Sequence, residues 1–132
     1  MEKVIFYIKE KESEESDEME SGELFPLLDI FENQGEIHIQ LELPGIIIDD
    51  LDLSVRDNEV TVKVFKKDET IERKDVSFLR MERKFGWLQR TVRLPVPCDT
   101  NSAKAFYSKG ILSIIFKKVE NKRGVVKKIT IE

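Results

Sequence analysis

A chain of 132 residues, 36% charged and 40% hydrophobic with a net charge of −4, has room for one domain with a real core and little beyond it. No apolar run approaches the ~20 residues of a membrane-spanning helix, the five apolar residues Val4 to Ile8 are too few for a signal peptide, and the acidic balance argues against nucleic acid as a partner. With one cysteine, Cys98, and one histidine, His38, neither an intrachain disulfide nor a multi-histidine metal site can form, so a cytoplasmic protein without cofactor is expected.

In chain order, Val4-Ile5-Phe6-Tyr7-Ile8 is followed by a polar stretch, Lys9 to Glu23, with eight acids against two lysines, a charge of −6. So little apolar surface cannot offset the entropy of ordering, and residues 1–24 read as a short, acidic, flexible arm. Organisation begins near Leu24-Phe25-Pro26-Leu27-Leu28. Strict alternation then puts Ile37, Ile39, Leu41 and Leu43 on one face, with Glu36, His38, Gln40 and Glu42 on the other. Pro44-Gly45 ends that strand.

Leu51, Leu53 and Val55 alternate with Asp52, Ser54 and Arg56. Asp57-Asn58 turns the chain into Val60, Val62 and Val64, completing a hairpin. Lys66 to Lys74 is almost wholly charged and reads as a loop, with a strand pattern, Val76 to Glu82, inside the same long connection. A further strand, Phe85 to Leu94, closes at Pro95 and Pro97. Alternation resumes at Ala103, Ala105 and Tyr107, turns at Lys109-Gly110, and continues from Ile111 to Phe116.

Eight or so short strands with no convincing helix, each with one apolar face, need a second sheet to cover them. The expectation is an all-β, immunoglobulin-like antiparallel β-sandwich over residues 25–118, with residues 119–132 as a C-terminal extension. That extension is basic: from Lys117 to Glu132 six bases face two acids, a charge of +4. It ends in Lys127-Lys128-Ile129-Thr130-Ile131-Glu132. In an extended segment Ile129 and Ile131 share one face, a one-sided apolar pair that a sheet edge or groove on another subunit can capture.

No catalytic constellation, P-loop or dinucleotide fingerprint is present. His38 lies on the polar phase of its strand. Cys98, between Pro97 and Asp99, reads as a loop thiol without a neighbouring base to activate it. Asp49-Asp50-Leu51-Asp52 lacks the glycine and distal glutamate of a calcium loop and reads as solvated acids.

Several segments stand together in one order: Leu43-Pro44-Gly45, Asp57-Asn58-Glu59-Val60-Thr61-Val62, Phe85-Gly86-Trp87-Leu88-Gln89-Arg90 running to Leu94-Pro95, Ala105-Phe106-Tyr107-Ser108-Lys109-Gly110-Ile111-Leu112, and Ile129-Thr130-Ile131. In these the chain resembles the small heat-shock proteins, whose shared unit is the alpha-crystallin domain; the match runs from about Leu27 to Ile131. The resemblance implies a stress-response chaperone, an ATP-independent holdase that keeps partly unfolded client proteins from aggregating. It implies a homodimer in which the loop strand, carrying Val76, Phe78, Leu79 and Met81, is exchanged with the partner's sheet, with Trp87 and Arg90 at that interface. It also implies higher homo-oligomers, in which Ile129 and Ile131 dock in a groove flanked by Leu51, Leu53 and Val55 on one strand and Ala103, Ala105 and Tyr107 on another.

Two features depart from the family pattern. Lys109 stands where asparagine is common, and the turn is expected to work because Gly110 supplies the positive φ. The arm is short and acidic where relatives carry a longer, Phe-rich one, so its client-contact candidates reduce to Ile5, Phe6, Tyr7, Leu24 and Phe25. Burying two isoleucines gains roughly 3–6 kcal/mol. Ordering about four residues costs roughly 4–8 kcal/mol, so one tail latches weakly and many hold together by effective concentration. A client-selecting co-chaperone adaptor of the CS-domain type shares the sandwich but usually lacks both the swapped strand and the tail doublet. A structural β-sandwich interaction domain of an envelope assembly would need an export signal.

Overall fold

The computed structural model describes residues 4–6, 9–10, 26–119 and 129–131. Alternation becomes strands wherever the apolar phase can be buried. The strands are β1 (Val4–Phe6), β2 (Lys9–Glu10), β3 (Leu28–Glu32), β4 (Glu36–Glu42), β5 (Asp52–Arg56), β6 (Glu59–Lys66), β7 (Gly86–Arg93), β8 (Cys98–Ser108) and β9 (Ile111–Lys118). One sheet has the order β1-β8-β9-β4-β3 and the other β2-β5-β6-β7. All pairs are antiparallel except β2 with β5, which is parallel. Among the described residues the only helical turns are two short 3-10 turns, Ile48–Asp50 and Glu69–Glu72.

The core lies between the sheets. Ile37, Ile39 and Leu41 of β4 and Leu112, Ile114 and Phe116 of β9 are buried together with Leu53, Val55, Val60, Val62 and Val64 of the opposing sheet. Each such side chain contributes about 1.5–3 kcal/mol when fully buried. Register follows from the same phase: Ile39 stands opposite Ile114 and Leu41 opposite Leu112. A slip of one residue would turn every one of these side chains to solvent.

Two motifs far apart in sequence lock one end of the sandwich. The β8–β9 hairpin turns at Lys109 (φ 54) and Gly110 (φ 79), both left-handed. Gly110 lies against Pro44, where an added Cβ would sit 3.4 Å from the Pro44 Cα and Cβ. The Gly110 carbonyl accepts from the Leu43 N–H at 2.8 Å, and the Tyr107 hydroxyl donates to the Leu43 carbonyl at 2.6 Å. Leu43-Pro44-Gly45 and Tyr107 to Gly110 therefore form one joint.

The structure differs from the sequence reading in four places. Val76 to Glu82 forms no strand; among the described residues it has no ladder partner, and its side chains are exposed. Lys9–Glu10, assigned to the flexible arm, pairs with β5, as Val4–Phe6 does with β8. Cys98 belongs to β8 rather than to a loop, because β8 runs back through an irregularity between Asp99 and Lys104. Ser102 makes that irregularity tolerable: its Oγ donates to the Asp99 carbonyl at 2.6 Å and accepts from the Lys117 N–H at 2.8 Å, replacing lost ladder bonds. Finally, the positive φ at the β8–β9 turn falls on Lys109 as well as on Gly110. Lys109→Asn is therefore expected to stabilise the domain by about 0.5–1 kcal/mol, because asparagine adopts the left-handed conformation more readily. Gly110→Ala should destabilise it by at least about 1 kcal/mol; urea unfolding measures both.

Candidate functional site

The sandwich has two long sides, and each is a meeting of two edge strands. On one side β8 and β5 would be outermost, but β1 lies along β8 and β2 along β5. On the other side β3 ends one sheet and β7 the other.

The six residues expected to flank a tail groove fall on the first side. Leu53 and Val55 of β5 and Ala103 and Ala105 of β8 are buried in the core, with Leu51 and Tyr107 packed against it. Burial pushes the Tyr107 phenol above its ordinary range, partly offset by backbone hydrogen bonding at Ile46 and Gly45. These residues form the floor between the two edges. The edges themselves are taken: Val4, Ile5 and Phe6 stand opposite Tyr107, Phe106 and Ala105, and Lys9 and Glu10 opposite Ser54 and Val55. Of the arm residues proposed for client contact, Ile5 and Phe6 are thus in β1, while Tyr7, Leu24 and Phe25 lie outside the described residues.

The second side is under-covered. β3 pairs only with β4, and Ile30 and Phe31 on it remain exposed, as does Leu27 just before it. Phe31 stacks on His38 with ring centroids 4.9 Å apart, so His38 serves as an aromatic neighbour on the sheet face. Arg90 of β7 ties this side together by donating from Nη1 to the Pro26 carbonyl at 3.0 Å, just ahead of β3. That partner lies in its own chain. Trp87 is 52% exposed, which excludes a core role. It packs edge-on against Phe65 at 5.2 Å, with the Lys63 Nζ 4.9 Å from its ring centre.

Between β6 and β7 the long connection carries Val76, Phe78, Leu79 and Met81, all exposed, Leu79 at 98%. At the far end of the chain Ile129 and Ile131 are 90% and 93% exposed and belong to no strand. Stripped of any partner, these are the apolar segments that the sandwich itself does not cover.

The Cys98 Sγ donates to the Val96 carbonyl at 3.3 Å, and burial raises its pKa despite the Lys118 charge, so the thiol stays protonated near neutrality. Among the described residues no group of three His, Cys, Asp or Glu side chains is placed to hold a metal, and no helix is long and apolar enough to cross a membrane.

An immunoglobulin-like sandwich with a long, uncovered β6–β7 connection and an aliphatic doublet beyond its last strand is the architecture of the alpha-crystallin domain. The profile of the Hsp20/alpha crystallin family matches residues 29–132, and the chain belongs to that family. It is 38% identical over 108 residues to small heat shock protein C4 of Rickettsia felis, covering 82% of this chain and 64% of that protein. It is 42% identical over 82 residues to the alpha-crystallin of Mycobacterium tuberculosis, covering 61% of this chain and 54% of that one. Among solved structures, heat shock protein 16.0 from Schizosaccharomyces pombe superposes with a TM-score of 0.72 at 27% identity, covering 88% of this chain and 81% of that chain. The match to these two bacterial proteins leaves more than a third of each outside it.

Tyr107 joins the floor of the first side to the Leu43 joint, so Tyr107→Phe is expected to cost about 1 kcal/mol of stability, the value of one hydrogen bond whose acceptor is left unpaired. Because its pKa is raised in the fold, Tyr107 contributes stability that is fully present below pH 10 and lost as pH climbs through the higher folded value. Denaturant titration should show this alkaline loss in the parent chain and its absence in Tyr107→Phe.

Proposed function

We propose that this chain is an ATP-independent holdase that binds partly unfolded proteins in the cytoplasm and prevents their aggregation, working as a dimer that joins larger homo-oligomers. The observation that carries this reading is the set of apolar segments the chain leaves uncovered: β3 with Ile30 and Phe31, the loop with Phe78, Leu79 and Met81, and the tail with Ile129 and Ile131. A protein meant to act alone would bury these or break them with charge. Family membership supports the same reading.

The dimer contact follows from matching two of these segments. β3 lies at a sheet edge, and Val76 to Glu82 is an extended-prone run that joins no strand among the described residues. Pairing the loop of one copy with β3 of another covers Ile30, Phe31 and Leu79 together and supplies the missing ladder. Arg90, by fixing Pro26, sets where β3 begins and so positions the edge. The tail then links dimers at the β5/β8 side, where exposed Asp49 and Asp52 stand at the start of β5 to meet Lys127 and Lys128. Each latch is individually weak, so subunits exchange within hours. Clients occupy the same uncovered surfaces while subunits are apart.

Without ATP, the full chain is expected to suppress the light scattering of a heat-aggregating model protein. Sedimentation of Ile129→Ala/Ile131→Ala should show dimers in place of larger species. Deleting residues 76–82 should yield monomers; a dimer unaffected by that deletion would refute strand exchange.

A further inference from the structure

The outer edges of β5 and β8 already have occupants. β1 pairs antiparallel with β8 and β2 pairs parallel with β5, and only residues 7 and 8 separate β1 from β2. The three chain steps from Phe6 to Lys9 reach about 10 Å at roughly 3.3–3.6 Å per residue. That is about the spacing of two stacked sheets. Val4–Phe6 therefore lies on an edge of one sheet and Lys9–Glu10 on an edge of the other, close enough in sequence to lie on the same side of the sandwich. Together they use the outward backbone groups of Ala105–Tyr107 and of Ser54–Val55, and an edge whose ladder is filled has no groups left for a second strand.

The tail matches this segment in kind. Val4 and Phe6 stand two apart between Lys3 and Lys9; Ile129 and Ile131 stand two apart after Lys127 and Lys128. Both are short apolar segments with lysines beside them, one a run of five residues and the other a doublet, suited to the same edges and the same acids, Asp49 and Asp52. Ile129 to Ile131, however, belong to no strand, and the two isoleucines are almost fully exposed.

Taking the β5/β8 cleft as the seat of the tail, as proposed above, we infer that Val4–Glu10 is an intramolecular plug of that cleft, and that Ile129-Thr130-Ile131 of a second copy docks only by displacing it. Displacement frees Ile5 and Phe6 from the β8 edge, so oligomer assembly and release of the N-terminal apolar segment become one event. The plug holds an isolated subunit closed; the local concentration of tails in an assembly opens it.

The test uses the full chain carrying Ile129→Ala/Ile131→Ala, so that its own tails do not compete, titrated with a fluorescent peptide of residues 123–132. Adding Ile5→Pro/Phe6→Pro removes two adjacent N–H groups. Opposed pairs alternate between bonded and unbonded, so one of the two substitutions must break a β1–β8 ladder bond. Peptide binding is expected to tighten at least about tenfold, the effect of removing a competing conformation. Equal binding with and without the prolines would overturn the plug and leave tail docking standing. No binding in either would overturn both.

A second variant leaves the strand intact. Ile5→Cys/Phe106→Cys/Cys98→Ser, in the same tail background, places two thiols at directly opposed positions. The oxidised form should bind the peptide at least about tenfold more weakly than the reduced form. Unchanged binding on oxidation, or failure of the two thiols to cross-link, would overturn the plug.

Discussion

An open β-sandwich cannot satisfy its own outer strands, and the rest of this structure is arranged around that constraint. Two sheets have four edges, here β1, β3, β2 and β7. Each edge exposes backbone donors and acceptors that water satisfies but another strand satisfies with greater cooperativity. A barrel would remove the problem by closure. This chain instead treats its two sides differently. On one side it lays its own N-terminal residues along both sheets. On the other it leaves β3 bare and fastens only the approach to it, through Arg90 and the Pro26 carbonyl.

That asymmetry gives the proposed chaperone role a physical basis. Holding a partly unfolded client needs apolar surface that is available yet does not cause the holder itself to precipitate. Self-association provides the guard when the surfaces used between subunits are the ones a client would otherwise occupy. Weak contacts suit this better than strong ones, because each must open to expose its surface.

The joint of Leu43-Pro44-Gly45 with Tyr107 to Gly110 shows how two sequence motifs serve one structural purpose. Apart, they are a strand end and a turn. In space, the Gly110 carbonyl and the Tyr107 hydroxyl both address Leu43, and residue 110 packs against Pro44. The glycine is required there by its positive φ. This joint fixes the end of β8, and with it the edge along which β1 lies.

Much of the sandwich was legible from residue order alone, because a half-buried strand must alternate. Ile37 to Leu43, Leu51 to Val55 and Val60 to Val64 each declared which face would be buried, and those faces meet in the core. The exposed tail doublet was legible for the same reason: nothing adjacent in sequence covers it. What composition could not show is where an irregular or polar segment finds a partner. Lys9–Glu10 carries no strand pattern and joins β5 only because β1 brings it there. Val76 to Glu82 carries the pattern and joins no strand among the described residues. Cys98 and Asp99 enter β8 because the Ser102 hydroxyl repairs the ladder around them. Alternation is a local property and can be read locally. Edge pairing depends on which backbone groups remain unsatisfied once the sheets have packed, and only the tertiary structure decides that.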